Sequence, residues 1–162
     1  MFSLNVPVPA AVHERADAVA SECPPGTVRP RAERTLVVKR LGEPDAADRL
    51  SARAREVIRG QPPIAARIDG LVVFEEPPAG PAPVLALAID SPGLERLHDR
   101  LCAVFDPIEG IEAGAYRPHV TVARGAGVVR EIDFETHRWS IDALALYDAS
   151  RHLPAGRIDL PA

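Results

Sequence analysis

The sequence predicts an α+β protein whose sheets run mostly antiparallel. Three observations lead there. Runs with a two-residue hydrophobic period are interspersed with runs of helical spacing. Their order reads β-α-β-α-β-β-α-β-β-β, which breaks the strict alternation that a parallel sheet requires. A strand carrying Thr35 has a counterpart carrying Thr121, each near a helix, which suggests two similar lobes facing each other.

Each element has its own signature. Phe2, Leu4, Val6 and Val8 recur at every second residue and predict a first strand, ended by Pro7 and Pro9. Residues 10 to 22 place Val12, Ala16 and Val19 at helical spacing, with His13 in the first turn and facing solvent. The run CPPGTVRP is a turn. ERTLVVKRLG, residues 33 to 42, is a second strand stopped at Gly42. A helix follows from Pro44 and Asp45 to Gly60, with Leu50, Ala54, Val57 and Ile58 as its buried stripe. Residues 64 to 76 form a long strand, bent at Gly70. PPAGPAP is a hairpin link to the strand VLALAID, residues 84 to 90. Ser91 and Pro92 start a helix in cap-then-proline order. Leu94, Leu97, Leu101 and Val104 are its buried face, and His98 lies at the boundary of that stripe. The loop DPIEGIEAGAY leads to the strand in YRPHVTVARG. WSIDALALYDAS, residues 139 to 150, alternates again, and RIDL is a last short strand. Phe134 and Trp139 are read as core.

The bulk properties narrow the function. A chain of 162 residues with 46% hydrophobic and 26% charged residues suits one domain with a sizeable core. A net charge of −4 argues against a partner such as duplex DNA, which needs a broad basic face. It leaves room for a local phosphate site. Cys23 and Cys102 match no zinc or redox spacing and read as free thiols. No run is long enough to cross a bilayer, and the N-terminus lacks a basic leader. A cytoplasmic protein with no membrane association is expected.

The chemistry centres on His119-Val120-Thr121. Side chains two apart on a strand share a face, so His119, Thr121 and Ala123 point one way and Val120, Val122 and Arg124 the other. With the valines in the core, the imidazole and hydroxyl face a cleft, and Arg124 is structural. An imidazole exchanges protons near neutrality. A neighbouring hydroxyl can donate to a phosphate oxygen. That is half of a phosphoryl-transfer site, and a second lobe bearing Thr35 supplies the other half. A lone His-x-Thr is more often a packed histidine, so the pairing with Thr35 carries the reading.

HVTV preceded by YRP resembles the second signature of the two-histidine (2H) phosphoesterases, the superfamily of 2′-5′ RNA ligase-like proteins and RNA 2′,3′-cyclic phosphodiesterases. FSLNVPVP, TLVVKRLGE, SPGLERLHDRL and WSIDALALYDAS follow the family's order, so the likeness covers nearly the whole chain. The resemblance implies one domain over residues 1–162, built of two pseudo-symmetric lobes whose sheets form a V-shaped cleft with helices outside. It implies no metal and no organic cofactor. In that picture His119 is one catalytic histidine, Thr121 orients the phosphate, and Thr35 grips it from the other lobe.

The sequence departs from that pattern at the first His-x-Thr, which here reads Glu33-Arg34-Thr35. Glu33 in the cleft can serve as general base but repels an anionic diester. Arg34, if a bulge turned it inward, binds phosphate through its planar fork. Lys39 shares the alternation face of Thr35 and adds positive charge at the cleft edge, unless it is simply a solvated strand-end lysine. Tyr116 can stack on a nucleobase or lie as a lid over the strand end. The expected activity is hydrolysis of a 2′,3′-cyclic phosphate at an RNA end or on a nucleotide, by a monomer. The alternatives are a member that binds RNA ends or nucleotide phosphates without turnover, and a domain that uses the fold for protein contacts.

Overall fold

The computed structural model describes residues 1–42, 47–125 and 127–161. Eight strands are named here in chain order: β1 (Phe2–Val6), β2 (Leu36–Gly42), β3 (Ile64–Phe74), β4 (Val84–Asp90), β5 (His119–Arg124), β6 (Arg138–Ile141), β7 (Ala143–Asp148) and β8 (Leu153–Asp159). Three α-helices, α1 (Ala10–Ala20), α2 (Ala47–Ile58) and α3 (Pro92–Cys102), lie between them. Two antiparallel four-stranded sheets result, ordered β2-β1-β7-β8 and β5-β4-β3-β6. The architecture is α+β, as the element order predicts.

The expected stripes account for the helices. Val12, Ala16 and Val19 of α1 are buried. Ser91 caps α3 by accepting from the Leu94 amide at 3.3 Å, with Pro92 in the first turn. Leu94, Leu97 and Leu101 are buried. Val104 is exposed because α3 stops at Cys102. The start expected for α2 at Pro44 and Asp45 lies outside the described residues. α1 packs on β5, while α3 packs on β2 and β3. The first of these helices thus crosses to the sheet that its flanking strands do not form, and α3 bridges the two sheets. One hydrophobic cluster, including Leu4, Val12, Leu36, Leu85, Leu97 and Val122, serves both sheets.

Several expectations need correction. Residues 139–150 are not one strand. The run breaks at Asp142 into β6, which joins β3, and β7, which joins β1 in the other sheet. The second strand begins at Leu36, because Arg31–Glu33 form a 3-10 turn. His13 is half-buried rather than solvent-facing; burial, then the cations Arg34 and Arg31, lower its pKa below the ordinary value. His98 is fully buried, not at a boundary. Its Nδ1 lies 2.7 Å from the Val38 carbonyl, and its Nε2 accepts from the Ala113 amide at 2.9 Å. A carbonyl only accepts, so Nδ1 carries the proton and the ring is a structural cross-link.

Candidate functional site

β2 and β5 come together from different sheets, and the space beside them is a cavity of about 490 Å³. Thr35, His119, Thr121 and Tyr116 all line it. So do Arg29, Arg40, Arg117 and Arg124, with Phe74 and Glu76. This volume falls in the range of small-molecule sites.

His119 opens β5 and is only partly exposed. Its Nδ1 lies 2.7 Å from the Arg117 carbonyl, which fixes the proton on that nitrogen. Nε2 is thereby the nitrogen left with a free lone pair in the neutral ring. Phe74 tilts against the imidazole with ring centroids 4.8 Å apart. Burial pushes the His119 pKa below its ordinary value; the Arg117 hydrogen bond opposes this, and Arg40 and Arg124 reinforce it. The ring is consequently neutral at pH 7 and able to accept a proton. Among the described residues no protein group bonds the hydroxyl of Thr35 or Thr121.

Two bulges decide which cations reach the cavity. Between β4 and β5 the register jumps from Leu85↔Ala123 to Ala86↔Thr121, leaving Val122 unpaired. Val122 and Ala123 are both buried, so Arg124 rejoins the face of His119 and Thr121. That one residue overturns the alternation that would turn Arg124 away. Between β1 and β2 the register jumps from Leu4↔Lys39 to Asn5↔Val37, leaving Val38 unpaired. Lys39 is turned inward and Arg40 takes the cavity face.

Lys39 is therefore neither a solvated lysine nor a cleft cation. It is fully buried, donating to Glu112 at 2.6 Å and to the Arg40 and Asp106 carbonyls at 2.7 and 3.1 Å. Glu112 also accepts from the Arg40 and Ile108 amides at 2.8 and 2.9 Å. Burial alone would raise the Glu112 pKa, but these donors outweigh it and the net shift is downward. The pair fastens to β2 the loop that carries Ile111, Tyr116 and Arg117 into the cavity wall.

Glu33 and Arg34 also lie off the cavity. Glu33 is in the 3-10 turn, 3.6 Å from Arg29. Arg34 is buried against α1, donating to Asp17 at 2.6 Å and to the His13 carbonyl at 3.3 Å. The strand phase that would place them at the cleft does not extend into the turn. On the β2 side the cavity instead meets Thr35, Val37 and Arg40. Tyr116 is buried, its ring stacked on His98 at 3.8 Å and its hydroxyl donating to the Val37 carbonyl at 2.9 Å. It supports the wall more than it offers a free stacking face.

Sequence reasoning does not single out Arg29 or Phe74 as site residues, nor Arg40. Arg29 is placed by pairing of its segment with the edge of β5, its amide donating to the Val122 carbonyl at 2.8 Å. The adjacent Lys39-Arg40 pair is a usable signal, since one of two successive cations must face each side of a strand. Arg124 keeps a buried Nε with no partner among the described residues, while its Nη1 donates to the Ala79 carbonyl at 2.8 Å. Burial and neighbouring Arg29 hold its pKa below the usual guanidinium value. Among the described residues no cluster of three or more His, Cys, Asp or Glu side chains is arranged to hold a metal. No described helix is long and apolar enough to cross a membrane.

Comparisons with known proteins fit this geometry. No curated protein matches the chain in sequence. Among solved structures, TT0787 of Thermus thermophilus superposes with a TM-score of 0.69 at 17% identity, covering 98% of this chain and 97% of that one. E. coli LigT complexed with NADP+ gives 0.64 at 19% identity, with 99% and 97% covered. LigT complexed with 3′-AMP gives 0.61 at 19%, with the same coverage. At such identities the likeness shows the shared fold. The model of the 2′-5′ RNA ligase superfamily matches residues 6–153. The chain belongs to the 2′-5′ RNA ligase superfamily.

Proposed function

We propose that the chain is a phosphoesterase acting on a nucleotide or an RNA-end phosphate, with His119 as proton acceptor. The observation that carries the reading is the charge lining the cavity: four arginines to one carboxylate, Glu76, around a single imidazole. Such a lining favours an anion of phosphate type, since guanidinium forks match its oxygens. Thr35, just before β2, and Thr121, on β5, offer free hydroxyls to the non-bridging oxygens. Arg40 and Arg124 neutralise charge building on the phosphorus oxygens. The neutral Nε2 of His119 takes the proton of an attacking water. LigT structures with 3′-AMP and NADP+ support a nucleotide as the ligand class to try first.

The 2′,3′-cyclic phosphate implied by the family resemblance is the first substrate to test. Wild type is expected to hydrolyse a 2′,3′-cyclic nucleotide, and His119→Ala to lose about 10²–10⁴-fold in kcat. Equal turnover by the two proteins removes the hydrolytic role. Binding without turnover is the second reading, favoured because the β2 side presents Thr35, Val37 and Arg40, none of which exchanges a proton near neutral pH. It expects 3′-AMP affinity that Thr35→Val with Thr121→Val abolishes, with no product formed.

A further inference from the structure

The proton inventory of the cavity is unbalanced. His119 can accept one, because its Nδ1–H is committed to the Arg117 carbonyl and Nε2 is free. Nothing else lining the cavity among the described residues can supply one to a departing alkoxide. Arginine does not release its proton at any ordinary pH. The Tyr116 phenol is buried, bonded to the Val37 carbonyl, and shifted strongly upward by burial. Glu76 is exposed at the rim, and an ionised carboxylate only accepts. The β2 side offers only Thr35, Val37 and Arg40 among the described residues.

Resting on the phosphoesterase reading above, we propose that this site is built for phosphodiesters and phosphoanhydrides whose leaving oxygen departs without a proton. A phosphate monoester leaving group suits it, with a second pKa of about 6; an aryl oxide does so equally. The step balances. Water oxygen bonds to phosphorus while its proton passes to His119 Nε2. The bond from phosphorus to the leaving oxygen breaks, and that oxygen leaves as an anion with its electron pair. The arginine lining accommodates the negative charge, and solvent later removes the proton from His119. A ribose alkoxide, released from a 2′,3′-cyclic phosphate, is a poor fit because it needs a proton as it leaves.

The test compares bis(p-nitrophenyl) phosphate with 2′,3′-cyclic AMP, each as kcat/KM divided by its uncatalysed hydrolysis rate. His119→Ala serves as the control for contaminating activity. The acceleration for the aryl diester is expected to exceed that for the cyclic nucleotide by about 10²–10⁴-fold, the usual worth of a general acid. The pH profile of kcat/KM for the aryl diester should rise through one ionisation and stay flat above it. Equal accelerations, or a bell-shaped profile for the aryl diester, overturn this inference and leave the phosphoesterase reading standing, provided turnover depends on His119. Binding of 3′-AMP with turnover of neither substrate overturns both in favour of a pure binder.

Discussion

Replacing Glu112 by alanine is expected to cost about 3–5 kcal/mol of folding stability, the usual penalty for removing one partner of a buried ion pair. The structure says why the cost should reach that range. The carboxylate accepts from Lys39 Nζ at 2.6 Å and from two backbone amides at 2.8 and 2.9 Å. Without it, Lys39 stays fully buried with only the Arg40 and Asp106 carbonyls for company. For a chain of this length each kcal/mol moves Tm by about 2–4 °C, so Tm should fall by about 6–20 °C. Circular dichroism melts and urea unfolding measure this directly. Lys39→Met combined with Glu112→Gln removes both charges and keeps the volume, so it should lose less than Glu112→Ala alone. A loss below about 1 kcal/mol in Glu112→Ala, or a double variant less stable than the single one, would refute the reasoning. The pair also carries a pH signature. The Glu112 pKa is lowered from 4.5 in the folded protein, so its contribution is complete above 4.5 and drains away as pH falls through the lower folded value.

Other outcomes follow from the same structure. Arg124→Met should weaken 3′-AMP binding by roughly ten- to a hundredfold, from the loss of one charged hydrogen bond. Its melting temperature should hold or rise, since Arg124 is crowded by Arg29 and has an unpartnered Nε; calorimetry and a melt together check both. His119 is depressed below 6.5, so the folded state is penalised as pH drops below that value, and the penalty vanishes above it. The imidazole resonances should titrate below 6.5 in the free protein and move upward when a phosphate dianion is added. A titration at or above 6.5 without ligand contradicts the burial argument. Gly93→Ala should destabilise by about 1–3 kcal/mol despite alanine's better helix propensity, because the new Cβ would sit 2.7 Å from Ile64 Cγ2. Chemical denaturation measures that loss.

What a sequence can and cannot disclose is clear at particular residues. The α1 and α3 stripes and the β5 strand of His119 and Thr121 are readable from local periodicity, and the Ser91 cap from its cap-then-proline order. His119, Thr121 and Thr35 reach one cavity, as the shared face of alternate strand residues and the echo between lobes suggest. Strict alternation puts Lys39 and Arg124 on the wrong faces because Val38 and Val122 each slip the ladder by one residue. Neither bulge carries the glycine that marks some bulges: Val38 and Val122 continue a β-branched run. Glu33 and Arg34 fall elsewhere for another reason: the strand does not begin until Leu36. The break at Asp142 is a phase change: Trp139 and Ile141 face inward before it and Leu144 and Leu146 after it, whereas a single alternation runs through Ile141, Ala143 and Ala145 and hides the switch.

The crossing of α1 to β5 and of α3 to β2 has a mechanical consequence. Each half of the molecule is clasped by a helix belonging to the other, over one shared interior. Neither half should survive alone when expressed as a fragment, and pairing strands so distant in sequence makes for slow folding. The shared interior ties the two walls of the groove together, so a substitution deep in the core of one sheet should be felt at the cavity wall of the other.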